Sequence, residues 1–320
     1  MLAEEKVART IPRTPQTSLL RHVRKEWKLY SFLVIPVLYF LIFKYAPMIG
    51  NIIAFRKYRG GPNIFGTEWV GLHYFKMFWK DSAFWRAFYN TIFLSISYLI
   101  VRFPLTLIFA LLLNELRSIK VKKFVQTVSY LPHFISMVIV VGMIKEMVSL
   151  TGPINTLLGH LGIEKISFIQ QPGWFPSLYI TSGIWQGLGW GTILYLAAMT
   201  GINTELYEAA KVDGASRFRR AWHVTIPGIL PTIMVLLILD IGGIMGSNFE
   251  KVLLLYNPLT YETGDVLSTY VYRMGIGGKE GIGGNFSYAT AVGLFEGVVG
   301  LILVTMANFV SKKTTKTSLW

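Results

Sequence analysis

Apolar residues gather into six long blocks, at about Leu29–Phe55, Phe88–Asn114, Phe124–Val148, Trp174–Met199, Gly228–Phe249 and Tyr288–Val310. Each exceeds the roughly 20 residues that a helix needs to cross about 30 Å of hydrocarbon. None alternates apolar and polar positions over about ten residues, as a barrel strand does, and an open sheet would leave its edge amides unpaired in lipid. The pattern predicts an all-α membrane protein with six transmembrane helices. The first block follows a basic leader, is too long for a signal peptide and ends without a small-x-small site, so it is expected to be a retained anchor. The organisation expected is a basic arm over residues 1–28, a six-helix membrane domain over 29–311 that includes a loop at 200–227, and a tail over 312–320.

Composition agrees with lipid as the solvent: 52% of the 320 residues are hydrophobic and only 15% charged. The formal charge of +14 would suit a nucleic-acid partner if it were gathered on one surface, but its placement gives another reason. Of 31 basic residues, 18 fall in the N-terminal arm, the second and fourth loops and the tail, 11 fall in the alternate loops, and Lys44 and Arg102 lie inside the blocks. That bias puts both termini in the cytoplasm and makes a bilayer, with no nucleic acid, the expected surroundings. The first outer loop is unusually basic for an exported segment. Cysteine is absent, which removes thiolate metal sites and thiol nucleophiles. The glycine cluster Gly275–Gly284 lacks the spacing and the Ser/Thr of a phosphate loop, so it is expected to be an outer loop, and ATP has no site in this chain.

The fourth loop carries the most local information. Asn203 can cap a short helix with Glu205 in its first turn, where an acid suits the helix dipole. Ala209 and Ala210 favour helix and leave room for a partner, and Gly214 supplies a left-handed stop. Ser216 can cap a second short helix carrying Arg217, Arg219 and Arg220, and Pro227 sits where the fifth block begins, at a tolerated first-turn position. Two short helices joined by a glycine bend suit contact with another protein. A membrane-surface helix with its arginines on anionic headgroups is the plainer alternative.

The run Glu208-Ala209-Ala210, three residues, Gly214, nine residues, then Val224-Thr225-Ile226-Pro227 resembles the EAA motif of binding-protein-dependent ABC importer permeases. Asp213-Gly214-Ala215 is also typical of that motif, and Ala221 departs from it at a usually aromatic position, with Trp222 beside it. The resemblance implies the type I importer permease fold. It also implies that Glu205, Glu208, Ala209, Ala210, Asp213, Gly214, Arg217 and Pro227 couple the chain to an ATPase subunit. The segments Asn248–Leu259 and Tyr288–Leu294 look like the carbohydrate branch, and the chain is similar to maltose-type permeases of the LplB-like polysaccharide subgroup and to permeases of bacterial alginate importers. The implied assembly pairs this chain with a second, homologous permease subunit, two ATPase subunits that bind ATP and Mg, and an extracytoplasmic solute-binding protein. The chain itself would hold no cofactor and catalyse nothing. Its place would be the bacterial inner membrane and its cargo an oligo- or polysaccharide, acidic if alginate-like.

Polar and aromatic residues inside or beside the blocks form the candidate substrate path: Lys44, Arg102, Trp185, Gln186, Trp190, Tyr195, Asn248 and Glu250. Intramembrane charges commonly face the protein interior as structural pairs, and aromatic residues commonly pack or form an interfacial belt. The sharper reading is a cationic path for an acidic sugar. Gly187, Gly189 and Gly191 make the fourth block unusually open or closely packed by a neighbour. The rival to ATP-driven import is an ion-coupled secondary sugar transporter, which predicts repeat symmetry and helices broken near the midplane. Neither is visible in the sequence. A membrane enzyme is a weaker rival, because the five histidines lack metal-ligand spacing and no nucleophile elbow is present.

Overall fold

The computed structural model describes residues 25–58, 60–246, 248–277 and 284–320. Most of the N-terminal arm and the centre of the Gly275–Gly284 loop therefore lie outside the described residues. The chain divides into two units, residues 1–52 and 53–320. In the first unit, helix α1 (Trp27–Phe55) begins, with no buried side chain from Trp27 to Met48. A helix apolar on every side belongs in lipid or against partners. Its Leu41–Tyr45 turn is a π turn, in which the Ala46 amide donates to the Leu41 carbonyl, five residues back. That widening comes just before Pro47, whose ring would otherwise strike the carbonyl four residues earlier.

The second unit continues with α2 (His73–Trp79), α3 (Ser82–Asn114), α4 (Ile119–Phe134), α5 (Met137–Met147), α6 (Pro153–His160), α7 (Phe175–Thr200), α8 (Thr204–Val212), α9 (Arg217–Gly242), α10 (Phe249–Leu255), α11 (Leu267–Gly275) and α12 (Phe286–Thr315). Among the described residues the only strand-like pairing is one antiparallel bridge, Arg56 with Trp69. Helix α3 feeds all three apolar clusters. Phe84 and Ala87 pack with Phe78, Tyr270 and Tyr288; Leu94 with Val141, Phe175 and Val252; and Ala110 with Tyr195, Met199 and Ile229. The fourth block is closely packed rather than open. A Cβ on Gly189 would lie 2.2 Å from the Ser129 carbonyl oxygen, and one on Gly191 would lie 2.8 Å from the Thr106 methyl.

Among the described residues four helices are long and apolar enough to span on their own: α1, α3, α9 and α12. The third block is not one helix. It breaks between α4 and α5 with a bend of 99°. Pro132 ends regular helix in a 3-10 turn, Ile135 is extended at φ −78° and ψ 133°, and Ser136 restarts the chain as the N-cap position of α5. Pro132, His133 and Ser136 interrupt the apolar run at that break, and a broken helix is present where the block pattern predicted a single span. With this pair counted as one span and the 26-residue α7 as another, the six-span expectation holds approximately. Helix α7 is not among those four, because glycines, Gln186 and two tryptophans interrupt its aliphatic residues. The fifth block also stops short, at Gly242-Gly243, instead of running to Phe249. Helix α12 runs on to Thr315, into the expected tail, and Asn308 then accepts the Leu319 amide at 2.8 Å.

Candidate coupling surface and substrate path

Helix α8 starts and stops as its sequence dictates. The Asn203 side chain accepts the Glu205 amide at 3.0 Å and donates to the Glu205 carboxylate at 3.1 Å. At the other end the Ala215 amide donates to the Ala210 carbonyl at 2.9 Å and the Gly214 amide to the Lys211 carbonyl at 3.0 Å, with Gly214 at φ +73°. This is a Schellman stop, in which glycine avoids the Cβ penalty of the left-handed conformation. A Cβ on Gly214 would meet nothing within 4 Å, so the need for glycine there is conformational alone.

Ser216 caps as expected, accepting the Arg219 amide at 3.3 Å. The helix it caps is not a separate one, however. Arg217–Arg220 pass through a π turn at Ala221–Thr225 into Ile226–Gly242, so α9 is continuous and Pro227 lies inside it. The Ile226 amide donates to the Ala221 carbonyl, five residues back, and the widened turn admits the proline ring. The same device precedes Pro47 in α1. Tyr207 and Thr225 share a hydroxyl hydrogen bond of 2.9 Å, which ties α8 to the π turn, and Arg217 reaches Glu115 at the end of α3 at 3.9 Å. Glu208, Ala209 and Asp213 are exposed and Ala210 is half-buried. Two apolar side chains flank the glycine bend almost bare: Val212 is 88% exposed and Phe218 79%.

The path candidates separate into groups. A cavity of about 420 Å³ between α3, α7 and α9 is lined by Arg102, Thr106, Trp190, Tyr195 and Asp240, and a smaller one of about 170 Å³ by Ser95, Tyr98, Arg102, Asp240 and Asn248. Arg102 and Asp240 border both. One guanidinium nitrogen, Nη1, donates to Asp240 Oδ1 at 3.1 Å and Oδ2 at 3.2 Å, and the guanidinium carbon lies 5.7 Å from the Tyr98 ring centre. Trp190 stacks on His133 with centroids 4.4 Å apart. Trp185 lines a different, apolar cavity beside α5, and Gln186 donates to the Ile135 carbonyl at the α4–α5 break at 3.5 Å. Glu250 is exposed at the start of α10. Lys44 lies in the π turn of α1, in the other unit. The candidate list omitted Asp240, the partner of Arg102. It also omitted a polar stripe on α3: Thr91, Ser95, Tyr98, Arg102 and Thr106 recur at intervals of three or four residues in an apolar span, a spacing that marks one helix face.

Residues 85–316 match the family model described as the binding-protein-dependent transport system inner membrane component. The chain belongs to this family. The permease is thus an integral, multi-pass component of an inner-membrane transport system. It is 47% identical over 291 residues to protein LplB of Bacillus subtilis (strain 168), covering 91% of this chain and 90% of that one. It is 45% identical over 296 residues to the polygalacturonan/rhamnogalacturonan transport system permease protein YteP of the same organism, covering 92% and 90%. Among solved structures it is similar to a chain of a bacterial ABC transporter involved in the import of the acidic polysaccharide alginate, with a TM-score of 0.83, 42% identity and coverage of 93% of this permease and 99% of that chain. A second structure, of a bacterial alginate ABC transporter in complex with an alginate pentasaccharide-bound periplasmic protein, gives a TM-score of 0.84 at 42% identity, covering 94% and 99%. The fold is that of a type I ABC importer permease, as the EAA resemblance implied.

Proposed function

We propose that this permease is one of two homologous membrane subunits of an ATP-driven importer for an acidic oligo- or polysaccharide. Two separate ATPase subunits bind ATP and Mg and carry out hydrolysis, and an extracytoplasmic binding protein delivers the sugar. The likeness to permeases of polygalacturonan and alginate systems supports the substrate class. No comparison favours the ion-coupled transporter. Both termini and the segment 200–227 lie in the cytoplasm, as the bias of basic residues indicates.

The observation that carries the mechanism is the continuity of α9. From Arg217 beside the glycine bend to Asp240 in the cavities it is one helix, spanning about 35 Å at 1.5 Å per residue. Helix α8 and the first turn of α9 dock on the ATPase subunit through Glu205, Glu208, Ala209, Ala210, Asp213 and Arg217, with Val212 and Phe218 as apolar contacts. Gly214 sets the angle between the two helices. Closure of the ATPase pair then displaces the end of α9, and a stiff helix transmits that displacement to Asp240. The substrate passes Arg102, Trp190, Tyr195 and Asn248, while Lys44, Trp185, Gln186 and Glu250 serve other stretches of the route.

Gly214→Val tests the joint. A β-branched residue resists φ +73°, and no packing contact is disturbed. In the assembled complex the variant is expected to hydrolyse ATP while sugar uptake falls by about tenfold or more, the scale of a misplaced coupling element. Unchanged uptake would remove the coupling role.

A further inference from the structure

The first outer loop keeps more positive charge than an exported segment usually carries, and part of that charge has no partner in the chain. Lys57 pairs with Glu68 at 3.5 Å, and Arg56 reaches the Thr67 carbonyl at 3.4 Å. Lys76, Lys80 and Arg86 are exposed, and their side chains make no hydrogen bond or ion pair among the described residues. Lys76 and Lys80 stand four residues apart at the end of α2, a spacing at which like charges repel. The acid beside them, Asp81, is engaged elsewhere. It accepts from the Ala83 amide at 2.9 Å and from the Tyr270 and Tyr288 hydroxyls. Aromatic contacts fix the level of this patch. Phe78 and Trp79 of α2 lie against Phe84 and Trp85 of α3, with ring centroids 4.6 and 4.8 Å apart, so α2 flanks the first turn of α3. From that turn on, α3 exposes Trp85, Tyr89, Phe93, Ile96 and Ile100, which recur every three or four residues and so share one helix face. The face passes from tryptophan and tyrosine to plain hydrocarbon, the order met on going from headgroups into lipid. Lys76, Lys80 and Arg86 lie at its polar end.

We propose that Lys76, Lys80 and Arg86 form a binding site for the phosphate of an anionic phospholipid, with Trp79 and Trp85 seated at the bilayer surface beside it. The lysines act as point charges, and the Arg86 guanidinium can take two phosphate oxygens edge-on. The Trp85 indole N–H already donates to the Trp79 carbonyl at 2.9 Å, so the ring faces are what meet the glycerol and upper acyl chain. Attraction to an anionic surface falls off within a Debye length. Cations level with the headgroups use it in full, whereas cations held higher in water do not. A patch built only to dock a soluble protein has no need of the bare hydrocarbon face that continues below this one. The site needs this end of α3 at a bilayer surface and is independent of the cargo. On the orientation proposed above the leaflet is the outer one, where lipid phosphate offsets a charge that the usual bias of loops would keep inside.

The test uses the complete complex in nanodiscs of phosphatidylcholine, alone or with about one third phosphatidylglycerol, and counts by native mass spectrometry the phosphatidylglycerol that stays bound after exchange into mild detergent. The variants are Lys76→Gln/Lys80→Gln/Arg86→Gln and the charge-keeping Lys76→Arg/Lys80→Arg/Arg86→Lys. In phosphatidylcholine alone the glutamine variant should match the thermal midpoint of the unaltered complex, because all three side chains are exposed. It should retain at least one phosphatidylglycerol fewer, and the phosphatidylglycerol needed to restore that molecule should rise by about tenfold or more, the scale of several basic residues at an anionic surface. The charge-keeping variant should retain the lipid. Raised salt should release the same molecule from the unaltered complex, a result that does not depend on how any variant folds. Equal retention by a folded glutamine variant, or retention indifferent to salt, would overturn the site. A glutamine variant that keeps its lipid but no longer docks the sugar-loaded binding protein would also overturn it and assign the surface to that protein. Sugar uptake is not read, so failure here leaves the importer reading standing.

Discussion

The two ends of α3 are built differently. Near its start, the chain completes its own polar interactions. Asp265 is fully buried, and its carboxylate accepts from Arg273 Nη1 at 2.9 Å, Arg273 Nη2 at 2.6 Å and the Thr269 hydroxyl at 3.0 Å. Asn90 of α3 donates to the Asp265 and Glu262 carbonyls, at 3.0 and 2.9 Å, and the Thr91 hydroxyl accepts the Leu267 amide at 2.8 Å. Asp81, the N-cap residue of α3, accepts from the Ala83 amide and from the hydroxyls of Tyr270 and Tyr288. Burial pushes the Asp81 carboxyl up, but those hydrogen bonds together outweigh it and hold the group below the usual carboxylate range. Near the other end of α3, Tyr207 of α8 and Thr225 of α9 share one hydroxyl hydrogen bond and Arg217 of α9 reaches Glu115 at 3.9 Å, while Val212 and Phe218 stand in the open. Buried polar groups satisfied within the chain fix a shape. Bare apolar side chains such as Val212 and Phe218 leave surface that a partner can cover. The first end is finished by this chain; on the coupling reading proposed above, an ATPase subunit finishes the second.

The largest effect separating the two ends should come from Asp265→Ala. It leaves Arg273 without its carboxylate and the Thr269 hydroxyl with the Val266 carbonyl alone, and breaking a buried pair costs about 3–5 kcal/mol. Thermal unfolding of the purified permease in detergent should show a marked fall in midpoint. A midpoint equal to that of the unaltered protein would mean that this network does not hold the α11 end together.

An effect graded by pH should come from Lys251 on α10. Its side chain is fully buried, donates to the Tyr179 carbonyl at 2.7 Å and lies over the Tyr179 ring. Burial pushes the ammonium down to about 7, against about 10.4 in an unfolded chain. Above about pH 10.4 the amine is neutral in both states. Between there and about 7 the unfolded chain takes up the proton and the folded one does not. Stability therefore falls with falling pH in that window, by up to about 1.4 kcal/mol per pH unit, and levels off below it. Lys251→Met removes this slope. The unfolding midpoint of the variant, relative to the unaltered permease, should be highest near pH 7 and should lose that advantage as the pH approaches 10. A constant difference across the range would contradict a neutral buried amine.

Legibility in the sequence followed locality. Caps at Asn203 and Ser216 and the stop at Gly214 depend on residues within a few positions, and all three appear where the sequence places them. The apolar blocks were equally plain, because lipid imposes composition directly. What escaped was geometry set by distant neighbours. Pro227 looked like a helix start, since nothing in its own neighbourhood announces the π turn that carries α9 through it. The break at Ile135–Ser136 follows Pro132 and His133, a local signal that averaging hydropathy over the whole third block hides. Lys251, one of the 11 basic residues assigned to the alternate loops, is buried against a carbonyl that α7 supplies, and the pairing of Arg102 with Asp240 crosses 138 residues of chain. The α3 stripe of Thr91, Ser95, Tyr98, Arg102 and Thr106 was there to be counted, but its meaning depended on which helices it would face.

The smallest effect on the isolated permease, and the sharpest contrast with Asp265, should come from Val212→Ser with Phe218→Ser. Both side chains are largely exposed, so removing their apolar surface takes little from the folded state, and the thermal midpoint should move by less than about 0.5 kcal/mol in equivalent stability. The capped ends of α8 and the turn at Gly214 are untouched. If these two residues are contacts for an ATPase subunit, the pair of serines should weaken its retention on the purified permease by about tenfold or more, the effect of losing about 1.4 kcal/mol or more from the two anchors together. A destabilised permease would show instead that the α8 end is held together by these side chains, and that the two ends of α3 are less different than their contacts indicate. Full retention of the ATPase subunit with an unchanged midpoint would place the docking surface elsewhere on the 200–227 segment, on Glu208 and its exposed neighbours rather than on the apolar tips.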